Sequence, residues 1–135
     1  MDMQTLFQNS PEHEQLFLRI RSHCLSFPGT SERISHGAPT FFIDGKKSFA
    51  QYHVNHHGDG RIALWCAAPP GAQSVWTASA PEFYFVPPYV GHLGWVGIRL
   101  DRGAGWEDIS GTLDEAYLCR APKKYLQKMI PGADR

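Results

Sequence analysis

The sequence predicts an α+β domain, an antiparallel sheet with helices packed on one face, in the order α-βββ-α-ββ-α. Three observations carry that expectation. Apolar residues recur at steps of three and four near both ends of the chain, and Asp44-Gly45 divides two β-prone runs. A Pro/Gly-rich turn at residues 87–94 leads into the period-two alternation of Val96, Ile98 and Leu100.

The first helix is expected over residues 9–26. Asn9 or Ser10 can cap it, Pro11 suits its first turn, and Glu12 and Glu14 lie where the helix dipole favours acids. Leu16, Phe17, Ile20, Cys24 and Leu25 form its apolar stripe, and Phe27-Pro28-Gly29 ends it. Residues 30–38 read as a polar connection. Thr40-Phe41-Phe42-Ile43 is a short strand, Asp44-Gly45 a type I′ turn, and residues 47–54 the return strand. A turn through residues 55–60 leads to residues 61–66, completing a three-stranded meander. Residues 71–80 suit a short helix with Val75 and Trp76 turned inward. Residues 82–86 form an aromatic strand paired in a hairpin with residues 95–100. Trp106, Ile109, Leu113, Ala116 and Tyr117 mark a helix over residues 106–119, which Pro122 interrupts before a shorter helix at residues 123–130. The expected core is Phe17, Ile20, Phe41, Phe49, Leu64, Trp95, Ile98, Leu113 and Tyr117.

With 135 residues and a mass of 15.2 kDa, the chain fits one domain over residues 1–135. Thirteen Lys+Arg balance thirteen Asp+Glu, so an attraction to nucleic acid needs a local basic face. No apolar run reaches membrane-spanning length and no leader pattern opens the chain, so a cytoplasmic location without membrane contact is expected. Cys24, Cys66 and Cys119 lack a C-x-x-C spacing and read as small buried hydrophobes.

Several short motifs recur in a fixed order: Leu25-x-Phe27-Pro28-Gly29, His36-Gly37-x-Pro39-x-Phe41, Gly45-Lys46, Phe49-Ala50, Pro87-Pro88-Tyr89, Gly94-Trp95-Val96 and a terminal helix ending at Tyr117. In that order and spacing the chain resembles the MmcQ/YjbR family of small bacterial domains nearly end to end. The resemblance implies the α-βββ-α-ββ-α fold with an open curved sheet. It also implies a DNA-binding role assigned to two protruding hairpin wings. It carries no catalytic residues. Many relatives are more basic around residues 91–93, where this chain has Leu93.

The residues themselves offer two kinds of site. Lys46 and Lys47 after one turn and Arg61 after the next, with Arg33 before the first strand, could meet phosphates; taken singly, each also serves as a charged edge against sheet aggregation. Arg120, Lys123, Lys124 and Lys128 form a second basic cluster. Tyr89, His92 and Trp95 could line a groove that stacks a flat ligand, with His92 at its mouth, although aromatics beside a sheet more often belong to the core. His53, His56 and His57 surround one turn without metal-ligand spacing, and they read as a solvated tip; no metal or other cofactor is assigned. No nucleophile elbow, P-loop, H-E-x-x-H or dinucleotide fingerprint is present, and no catalytic residue is assigned. An enzyme would instead bring several titratable groups of shifted pKa into one cleft. The expected function is thus a monomeric, non-enzymatic binding module for DNA using the hairpin cations. The alternative is a small-molecule or protein-partner module using residues 89–95.

Overall fold

A computed structural model describes residues 11–129. Helix α1 (Pro11–Ser26) buries Ile20 and Cys24. It stops where Phe27 precedes Pro28, and the Thr30 hydroxyl donates to the carbonyls of Cys24 (2.9 Å) and Phe27 (2.8 Å) at the helix end. The expected cap at Asn9 or Ser10 lies outside the described residues.

Six antiparallel strands follow: β1 (Thr30–Ser35), β2 (Ala38–Ile43), β3 (Lys47–Val54), β4 (Ile62–Cys66), β5 (Tyr84–Phe85) and β6 (Val96–Arg99), in the spatial order β1-β2-β3-β4-β6-β5. The stretch expected as a polar connection is the edge strand β1. Its one large apolar side chain, Ile34, is 66% exposed, so it lacks the apolar alternation that marks a half-buried strand. Its pairing with β2 is a backbone ladder closed by His36-Gly37, both at positive φ (52° and 79°). Asp44-Gly45 forms the expected type I′ turn (φ 53° and 66°), with the Lys46 amide donating to the Ile43 carbonyl at 3.0 Å. The β3–β4 turn is held by Asn55, left-handed at φ 52°, whose side-chain oxygen accepts the Gly60 amide at 2.8 Å. From β4 the chain crosses through α2 (Ala72–Ser79) to the edge strand β5 and returns as β6 beside β4. Val75 of α2 is 63% exposed, contrary to expectation. The short helix turns Trp76 against Tyr84 (ring centroids 5.6 Å) and Gln73 onto the next loop, and Val75 falls off that strip.

Helix α3 (Trp106–Arg120) and the shorter α4 (Lys123–Met129) close the chain. Phe41, Ala50, Cys66, Leu64 and Ile98 share one sheet face by register, and α1 and α3 cover it with Ile20, Cys24, Leu113, Ala116 and Tyr117. Phe27 stacks on Tyr117 at 4.5 Å, and the Tyr117 hydroxyl donates to the Pro28 carbonyl at 2.7 Å. Every expected core residue is buried except Phe17, which is half-buried against Tyr52 at 4.5 Å. Of the cysteines, Cys24 and Cys66 are buried, and burial pushes both thiols up; Cys119, expected inside, is exposed on the outer side of α3. The other sheet face carries Thr40, Gln51, His53, Trp65 and Phe85, a polar and aromatic set. No described helix is long and apolar enough to cross a membrane.

Candidate functional site

Strand β3 separates two regions of different chemistry. At its start, the β2–β3 turn exposes Lys46 and Lys47 beside Asp44. Helix α4 reaches this turn: the Tyr125 hydroxyl donates to Asp44 Oδ1, and Lys124 Nζ lies 3.4 Å from Asp44 Oδ2. That hydroxyl, together with Lys124, holds the Asp44 carboxyl below its usual range, and Asp44 in turn raises Lys124. Arg33 of β1 lies over the Phe42 ring at 3.6 Å and donates from Nη1 to the Gly45 carbonyl at 3.1 Å. Lys123 and Lys128 are exposed on α4. A shallow cavity of about 160 Å³ lies between Lys46, Lys47 and Pro122. Two basic groups that the sequence keeps some eighty residues apart thus share one end of the sheet.

Arg61 is not part of this cluster. It follows the β3–β4 turn, one strand length away, about 23 Å at the usual rise per residue. Its guanidinium lies over the Phe85 ring at 4.1 Å. The aromatic turn is likewise divided. Trp95 is 5% exposed and belongs to the core, while His92 is exposed in a 3-10 turn, Gly91–Leu93. Tyr89, left-handed at φ 65° and 67% exposed, packs edge-on against His56 (5.8 Å) and His57 (6.5 Å). The three residues therefore do not share one groove.

At the other end of β3 lies a pocket of about 580 Å³, between the first turns of α1, the β1–β2 turn and the β3–β4 turn. Five histidines line it: His13, His36, His53, His56 and His57. His53 is not on a solvated tip. Its ring stacks on Trp65 at 3.6 Å, its Nε2 lies 3.0 Å from Gln51 Oε1, and it is 9% exposed. Burial and the neighbouring His56 push its pKa down to about 4, and burial, with His57 adding, lowers His56 as well. His36, Asn55 and His57, all in the lining, sit at positive φ (52°, 52° and 48°), a conformation that most side chains avoid and that clusters at binding sites. The described lining offers no serine, threonine, cysteine or lysine as a nucleophile, and the described residues hold no group of three or more His, Cys, Asp or Glu able to bind a metal ion. The signal for this pocket in the sequence is His36-Gly37, a second turn dipeptide of the Asp44-Gly45 kind, which places His36 in the same lining as the β3–β4 turn.

The YjbR family model matches residues 25–119. The chain is also similar in structure to a Deinococcus radiodurans protein with a DUF419 domain, known from its crystal structure. The TM-score is 0.67 at 16% sequence identity, covering 84% of this chain and 86% of that one. At that identity the likeness is one of fold. No curated protein matches the sequence.

Proposed function

The chain belongs to the YjbR family, and from that premise we propose that it is a binding module that holds the phosphate backbone of DNA at the Lys46 end of its sheet. One observation carries the reading: Lys46 and Lys47 from the hairpin, Arg33 from β1 and Lys124 from α4 meet at the turn that contains Asp44, and Lys123 and Lys128 are exposed on the same short helix as Lys124. A protein of balanced net charge binds a polyanion only through such a local concentration of cations. Flexible lysines on a hairpin tip suit phosphate contacts, which position a duplex without reading its sequence. Sequence-independent binding is therefore expected.

Fluorescence anisotropy with a labelled duplex, measured across salt, tests it. With three phosphates engaged, affinity should fall about forty-fold between roughly 50 and 200 mM salt. The double substitution Lys46→Glu, Lys47→Glu should abolish most of the binding, whereas Arg61→Glu, at the far end of β3, should change it less. Absence of binding at the lower salt, or equal binding by the lysine variant, sinks the proposal.

A further inference from the structure

We propose that the histidine-lined pocket binds a small planar heteroaromatic molecule bearing an amino group, as its neutral form or its cation. The volume, about 580 Å³, is that of a small-molecule site. Phe17 and Tyr52, with ring centroids 4.5 Å apart, and Val54 supply apolar lining, so a flat ring suits it better than a flexible chain. The polar groups then choose the ring's substituents. His53 Nε2 faces Gln51 Oε1, an oxygen without a proton, so Nε2 is the donor of that bond and the neutral ring presents Nδ1 as an acceptor. Glu14, exposed at the α1 side of the pocket, is a second acceptor and carries the one fixed charge of the described lining. Asn55 is already committed, its side-chain oxygen accepting the Gly60 amide. His53 Nδ1 and the anionic Glu14 are satisfied by N–H donors on the ligand, and the Glu14 charge repels a carboxylate or phosphate at that side of the pocket. The left-handed backbone at His36, Asn55 and His57 fixes the two turns that bound the site, so the occupant meets a formed wall.

The titratable groups around the pocket set its pH response. His13 and Glu14 face it from α1, His36 from the β1–β2 turn, Tyr52 and His53 from β3, and His56 and His57 from the β3–β4 turn, with Asp59 beside His56. As pH falls, His53 and His56, which burial holds in the neutral form, gain charge and repel a cationic or amino-bearing ring, so binding weakens on acidification.

The test is NMR of the full chain with ¹⁵N-labelled histidine, titrated with 2-aminopyridine at about pH 7.5, where an unperturbed imidazole is neutral. Saturable shifts of the His53, His56 and His57 ring signals are expected, and benzoate, an anion of similar size, should produce none. Glu14→Gln, at an exposed position in the first turn of α1, should weaken 2-aminopyridine binding about fivefold. The double substitution of Lys46 and Lys47 should leave it unchanged, which separates this site from the DNA surface. Absence of saturable shifts, equal or tighter binding of benzoate, or equal affinity of Glu14→Gln and the unaltered protein each overturns the proposal.

Discussion

His53 and Trp65 show how one residue's surroundings fix its chemistry. Stacked at 3.6 Å and nearly enclosed, the His53 ring gives up its charged form, and its pKa is driven down to about 4. In the unfolded chain the same imidazole titrates at about 6.5. Between those values the unfolded state binds more protons, so this residue's share of stability is complete above about 6.5, declines as pH falls toward about 4 and is constant below. His56, lowered by the same burial, acts in the same direction. Urea unfolding of the protein and of His53→Phe, at neutral pH and near pH 5, should show the larger acid loss for the unaltered protein; parallel losses would refute the assignment. Trp95 presents the simpler case of volume. At 5% exposure, its replacement by alanine should lower stability by roughly 3–5 kcal/mol, read as a shift of the urea midpoint. A loss under about 1 kcal/mol would place Trp95 at a surface instead.

Among the elements, the junction of α1, the β2–β3 turn and α4 decides whether the basic cluster exists. Gly29 sits at φ 75°, and the Asp44 amide donates to its carbonyl at 2.9 Å. A Cβ on Gly29 would overlap the ring of Tyr125, the residue that ties α4 to Asp44. Gly29→Ala should thus cost about 1–2 kcal/mol from the left-handed backbone alone, and more from displacing Tyr125. In a Tyr125→Ala background only the backbone part should remain. Equal losses in the two backgrounds would mean that α4 does not depend on this contact. The β1 edge makes a different point. Its residues carry no apolar alternation, so the strand exists because a two-residue turn returns the chain against β2, a cue held in His36-Gly37 and invisible to hydrophobic periodicity.

For the whole molecule, the sheet and its two regions come from different levels of information. Local sequence chemistry determined the α+β class, the Asp44-Gly45 turn, the α1 and α3 stripes, the second hairpin and nearly the whole core. These features depend on neighbours within a few residues, through 3.6- and two-residue periods, proline's fixed φ and the turn preferences of glycine. The motif order likewise pointed to the family that the match over residues 25–119 assigns. Tertiary structure alone decided which charges and rings meet. Lys46 and Arg61 look equivalent after successive turns, yet an eight-residue strand sends successive turns to opposite ends of a sheet. That placement separates Arg61 from Lys46 while bringing Lys124 to Asp44 at 3.4 Å. It likewise parts Trp95 from Tyr89 and gathers His13, His36 and His53 from three elements around one pocket. Short-range periodicity specifies which face of an element is buried; antiparallel pairing and helix docking, which act across the chain, specify what that face meets.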